Sequence, residues 1–265
     1  MKRLLPFKKW LAVFLVLFNT LAFSKELPNI LELKYDLTQN GESLGTVIEK
    51  FRIDEVGNYH IESITKGIGL YALFGDRVLM SEGKITIEGL KPKRFEVHQG
   101  SNASKNAIVD FDWDNQILIT QYKGSETKEN IENKTQVLIS YLYQFNYENF
   151  DEPIIEFMAA TGKKYKKYQF RVIDKKVALS LGNTNFETTS IQSIAEKDGK
   201  PETQIWLNNK SYKLPIRIRY QEKNAFAYRA KFNFSSLQGD GSLNPLPVIG
   251  YSTNTFSSPL IDFSL

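Results

Sequence analysis

The chain has 265 residues, of which 34 are Lys or Arg, 30 are Asp or Glu and none is Cys; 42% are apolar and 24% charged. That balance excludes wholesale disorder, collagen-like repeats and a polytopic membrane protein, and the missing cysteine excludes disulfides, thiolate metal sites, a cysteine nucleophile and a lipidated N-terminal cysteine. The formal charge of +4 resides in Lys2, Arg3, Lys8 and Lys9; beyond residue 24 basic and acidic residues are equal at 30 each, so the basic excess that general nucleic-acid binding needs is missing.

In chain order, residues 1–9 form a basic leader and Trp10 to Phe23 an apolar run broken only by Asn19 and Thr20. Ala22 and Ser24 put small residues at the −3 and −1 positions of a cut before Lys25, the pattern of a secretory signal peptide. The run is 14 residues long, short of the roughly 20 that a spanning helix requires. The expectation is a periplasmic chain, cleaved near Ser24, with no transmembrane span left after cleavage. Three units follow: a signal peptide (1–24), one domain (25–236) and an irregular C-terminal tail (237–265), where charge nearly vanishes and Gly, Pro, Ser and Asn recur.

Within the domain the apolar positions alternate. Val109, Phe111 and Trp113 interleave with Asp110 and Asp112. Ile216, Ile218 and Tyr220 interleave with Arg217 and Arg219. Phe226, Tyr228, Ala230, Phe232 and Phe234 interleave with Arg229, Lys231 and Asn233. A period of two with one wet face predicts antiparallel sheet, because buried parallel strands run apolar throughout. Turn signals at Asn40-Gly41, Val56-Gly57-Asn58, Asp114-Asn115, Gly182-Asn183 and Asp198-Gly199 divide about a dozen strands between Leu31 and Phe234. Two segments interrupt this meander. Residues 68–76 (IGLYALFGD) predict a short helix or loop. Thr135 to Tyr147 predicts a helix, with Thr135 as N-cap and Leu138, Tyr141, Leu142 and Phe145 on one apolar face.

Catalytic signatures are weak. Gly67-Ile-Gly69-Leu-Tyr-Ala72 fits a loose dinucleotide fingerprint but lacks the buried parallel strand and long helix that the motif needs. Asp110, Asp112 and Asp114 have calcium-loop spacing, yet Asn115 and Gln121 stand where the loop needs Gly and Glu. The only histidines are His60 and His98, and no H-E-x-x-H or G-x-S-x-G occurs. These features predict a non-enzymatic protein with no metal and no cofactor. Lys163-Lys164-Tyr165-Lys166-Lys167-Tyr168 is the one basic run interleaved with aromatics. It reads as a solvated hairpin end or as a contact for anionic headgroups.

Three blocks occur together and in order: Gly67 to Leu90 followed by Lys91-Pro92 and Phe95; Gln136 to Tyr143; and Glu202 to Leu207 followed by Leu214 to Tyr220. Together they resemble the exported proteobacterial proteins grouped as domain-of-unknown-function family 3108. The resemblance spans roughly residues 31–234 and implies a fold similar to the periplasmic lipoprotein carriers. That fold is a mainly β, single curved antiparallel sheet forming an incomplete barrel, with one or two short helices in its concave mouth. It carries over no catalytic residue.

An incomplete barrel fills its mouth with its own helix, its tail or a guest. A guest would be apolar, such as a lipid or a lipoprotein acyl chain. The expected lining is Leu138, Tyr141, Leu142 and Phe145 on the helix with Phe226, Tyr228 and Phe232 on the sheet. The alternative is an envelope interaction or scaffold module with a packed interior, which meets a protein partner through its tail or outer face.

Overall fold

A computed structural model of the chain describes residues 26–39, 41–194, 202–222 and 225–235; for 221, 222 and 225–235 it describes the backbone alone. The expected signal peptide and tail lie outside the described residues.

The described residues form fifteen strands. They are β1 (Ile30–Gln39), β2 (Glu42–Ile53), β3 (Asn58–Gly67), β4 (Arg77–Thr86), β5 (Gly89–Gln99), β6 (Ala107–Asp112), β7 (Ile117–Tyr122), β8 (Ser125–Asn130), β9 (Gln136–Val137), β10 (Ile154–Ala160), β11 (Tyr165–Leu181), β12 (Thr184–Ser193), β13 (Glu202–Asn208), β14 (Pro215–Glu222) and β15 (Ala225–Ser235). All belong to one sheet, in the order β8 to β1 and then β15 to β9. Two sequential meanders are therefore joined where β1 pairs with β15, Tyr35 opposite Phe232 and Gln39 opposite Tyr228. Every pairing is antiparallel except β9 with β10.

The alternation read from the sequence is seen in the burial. In β3, Tyr59, Ile61 and Ser63 are buried while His60 is exposed. In β6, Val109 and Phe111 are buried while Asp110 and Asp112 are half-buried. Each large apolar side chain taken fully from water contributes about 1.5–3 kcal/mol, so the inner face is what holds the sheet in this register. Slipping one strand by a residue would turn that whole set outward.

The sheet is curled. In strand order β5 and β9 lie eleven steps apart, which on a flat sheet is roughly 50 Å. Yet Gln136 Nε2 in β9 donates to the Leu90 carbonyl in β5 at 2.8 Å. Gly162 closes the same circuit at another point. Its φ is +85°, and a Cβ there would lie 2.9 Å from the Ala107 Cβ and 3.1 Å from a Val97 methyl. Glycine is what lets the turn after β10 approach the inner face of β5 and β6. Register shifts at Leu37/Thr38, Glu82/Gly83, Val172/Asp174 and Trp206/Leu207 bend individual strands. Among the described residues the sheet does not close by strand pairing, and its edges are β8 and β9. β8 (SETKEN) is exposed at every residue and charged, which discourages pairing with other chains. β9 is two buried residues long.

The helix expected from Thr135 to Tyr147 is much shorter. Helix α1 covers only Tyr141–Gln144, and a 3-10 turn continues it over Phe145–Tyr147. Gln136 and Val137 are drawn into the sheet as β9 instead, because β10 offers their backbone groups partners. Thr135 is not the cap. Its hydroxyl donates to the Glu132 carbonyl and bonds the Tyr165 hydroxyl. Residues 69–74 form the expected short element, a 3-10 helix.

Candidate functional site

The mouth of the curled sheet is occupied by α1 and the turn that follows it. All four residues of α1 are buried, as are Phe145 and Asn146. A helix apolar on one face would leave the other in water; this one is enclosed all round. The described sequence-predicted lining residues gather here. Tyr141, Leu142 and Phe145 are in the core, and Leu138 is partly buried against it. Phe226, Tyr228 and Phe232 fall in β15, but their side chains lie outside the described residues.

Beneath the helix lies an aromatic bed. Tyr141 stacks on Phe157, Tyr168 and Phe170, with ring centroids at 5.5, 6.3 and 6.1 Å. Phe145 meets Phe170 edge-on at 5.5 Å and Phe157 at 6.1 Å. On the other side Tyr143 stacks on Phe51 at 4.7 Å. Such pairs contribute about 0.5–1.5 kcal/mol each beyond their burial.

Polar groups then fix the helix in place. Gln144 Oε1 accepts from the Leu90 N–H at 3.0 Å, and its Nε2 donates to the Glu88 carbonyl at 2.8 Å and to Glu148 Oε1 at 2.8 Å. Gln144 sits against Gly89, where φ is +109° and a Cβ would collide with the Gln144 amide. Ser140 Oγ donates to Gln136 Oε1 at 2.8 Å and accepts from the Val137 N–H at 2.9 Å. Tyr143 donates its hydroxyl to Glu49 Oε1 at 2.7 Å.

Glu49 is the unusual group. It is 3% exposed, on the inward side of β2 between Val47 and Phe51. Burial pushes its carboxyl up to about 7, against the opposing pull of hydrogen bonds from Tyr143 and Ser63. The phenols of Tyr35 and Tyr143 are in turn pushed well up by burial and by the Glu49 charge. Sequence reading missed Glu49, Tyr143, Gln144 and Gln136. The available signal was an acidic residue in phase with Val47 and Phe51, which puts a carboxyl where the alternation demands an apolar side chain.

The other singled-out residues have structural partners. Asp110 takes the Arg94 guanidinium, which also binds Glu96, and Glu96 holds His98 at 3.0 Å. These bonds hold the Glu96 carboxyl below its ordinary value. Asp112 accepts from the backbone and side-chain nitrogens of Asn115, which makes its segment a turn. Lys163 lies in the turn before β11 and stands over the Tyr122 ring, Lys166 stands over Tyr168, and Lys167 pairs with Glu156. Among the described residues no group of three or more His, Cys, Asp and Glu is placed to hold a metal ion.

These features define a class: a barrel-like, open antiparallel sheet whose mouth is stoppered by its own short helix. Within that class the match is specific. The family described as "Protein of unknown function (DUF3108)" covers residues 34–230, and the chain belongs to it. Among solved structures the chain is similar to the crystal structure of a beta-barrel-like protein of domain of unknown function DUF1849 from Brucella abortus. The identity is 11% and the TM-score 0.51, over 78% of this chain and 96% of that one. A comparison with curated proteins gives no match. No helix among the described residues is long and apolar enough to cross a membrane.

Proposed function

We propose that the chain is an exported, non-enzymatic protein of the cell envelope that works as an interaction module, through its surfaces. The observation that carries this reading is the occupied mouth. Tyr141 to Asn146 fill the space a guest would need, and the helix is tied to the sheet by Gln136, Tyr143 and Gln144. The apolar segment at residues 10–23 supports export. A second reading, an apolar lipid-like ligand or acyl chain taken beneath the helix, is favoured by the aromatic bed of Phe157, Tyr168 and Phe170. It requires the helix to move, and the affinity is reduced by the fraction of molecules in the moved state.

Fractionation combined with native mass spectrometry tests both. The interaction-module reading expects the protein in the envelope fraction and a bare polypeptide mass after gentle extraction. A stoichiometric lipid mass that disappears in Tyr141→Asp while the fold persists would replace it with the ligand reading. Recovery in the cytoplasm would overturn both.

A further inference from the structure

The connections between β1 and β8 alternate between two ends of the sheet, and the two ends differ in chemistry. One end carries the turns after β1, β3, β5 and β7. The turn after β10 joins them, since Gly162 approaches Ala107 and Lys163 stands over Tyr122. At this end the 3-10 helix Gly69–Phe74 buries none of its residues. Leu70 is 79% exposed and Leu73 75%, with Phe74 and Ile68 about half exposed beside them. Isolated exposed apolar residues are ordinary, but a contiguous cluster marks a contact surface.

The cluster is held outward. The Phe74 carbonyl accepts from both the N–H and the hydroxyl of Ser101 at 3.1 Å, and Gly75 packs directly on Gly100. Charge surrounds it. Counting each of these five turns with two strand residues on either side, Lys66, Arg77, Lys105, Lys123, Lys163, Lys164 and Lys166 outnumber Glu42, Asp76 and Glu126. Lys123 lines a shallow groove with Ala103, Ser104 and Asn106, which brings the turns after β5 and β7 side by side. The turns after β2, β4, β6 and β8 at the opposite end are acidic, with Asp54, Glu55, Glu88, Asp112, Asp114, Glu129 and Glu132 against Arg52 and Lys134, while the turn after β13 adds Lys210 and Lys213 there. Val56 and Ile87 are exposed there as single residues among the acids.

We infer that the basic end is a docking surface for an anionic lipid bilayer, with Leu70, Leu73 and Phe74 entering the interface and the flanking lysines meeting headgroups. This rests on the surface-acting reading above and names its partner. Apolar side chains inserted among headgroups supply one attraction, and basic residues near the surface supply a second that salt weakens. The acidic far end opposes the reverse orientation, so the charge asymmetry also sets the direction of approach.

The chain has no cysteine, so a single label reports one position whether or not residues 1–24 are retained. The full chain carrying Leu73→Cys, labelled with an environment-sensitive fluorophore, is titrated with vesicles of equimolar phosphatidylglycerol and phosphatidylcholine, and with vesicles of phosphatidylcholine alone. The expected result is a blue shift with the anionic vesicles, at least about tenfold weaker binding to the neutral ones, and progressive loss of the shift as salt rises. Lys105→Glu with Lys123→Glu should weaken the anionic response by a similar factor. A label at Val56→Cys should not respond. No shift at Leu73, equal shifts at Leu73 and Val56, or equal binding to both vesicle types overturns the inference. Because the readout is at the turn, it stands or falls separately from any lipid mass found in the interior.

Discussion

Replacing Glu49 by Gln isolates the buried carboxyl beneath the helix. In the folded chain this group titrates near 7, against an ordinary value of 4.5. Below about pH 4.5 it is neutral in both folded and unfolded states. Between 4.5 and 7 the folded state keeps the proton and the unfolded state has lost it, so stability falls as pH rises. Above about 7 both states are ionised and the loss is complete. At about 1.4 kcal/mol per pH unit the interval amounts to about 3 kcal/mol, a large share of the 5–15 kcal/mol typical of a domain. The glutamine amide keeps an acceptor for the Tyr143 hydroxyl and has no charge to desolvate. Urea unfolding of the parent and Glu49→Gln, each at pH 5 and pH 8.5, should show the variant gaining about 2.5 kcal/mol relative to the parent between the two conditions, since part of the loss has occurred by pH 5. Other titrating groups cancel in that difference. An unchanged difference between pH 5 and pH 8.5 would refute the assignment of a proton to buried Glu49.

Three further substitutions test the stopper. Tyr143→Phe removes the hydroxyl that lowers the Glu49 carboxyl, so the fall in stability should still begin near pH 4.5 and extend to a higher pH, read from the same unfolding series. Gln144→Ala strands the buried Leu90 N–H and should destabilise by about 1–3 kcal/mol, with faster hydrogen exchange at Leu90 than at Val109. Phe145→Ala leaves a cavity among Phe150, Phe157 and Phe170 and should cost about 3–5 kcal/mol in denaturant unfolding.

The strands were legible because alternation and turn residues act locally. Val109 to Asp112 and Tyr59 to Ser63 state their inner and outer faces without reference to the rest of the chain. The curl was not legible from period alone, since period-two alternation describes a flat sheet as well as a bent one; the family resemblance supplied it. The helix was over-extended because a sequence pattern cannot show that β10 competes for the backbone of Gln136 and Val137. That competition is non-local, and the winning partner is some twenty residues away. The same limit hid the polar latch. Gln144 and Tyr143 read as the wet face of an amphipathic helix, and only the sheet folded around them makes that face interior.

The latch also bears on which part of the molecule meets a partner. An open sheet of this curvature leaves an apolar trough, and apolar packing alone would let a short helix sit in it in several registers. Gln136, Ser140, Tyr143 and Gln144 satisfy specific backbone and carboxyl groups, so a displaced helix leaves buried donors and acceptors unpaired, each costing about 1–3 kcal/mol. Admitting a guest beneath α1 therefore opposes the burial of the aromatic bed and the polar bonds together. The turn at Gly69–Phe74 carries no such barrier: its apolar side chains already face water, and covering them breaks no internal contact of a buried residue. On energetic grounds the exposed basic end is the first place for this chain to engage a partner, and the interior is what keeps that end rigid.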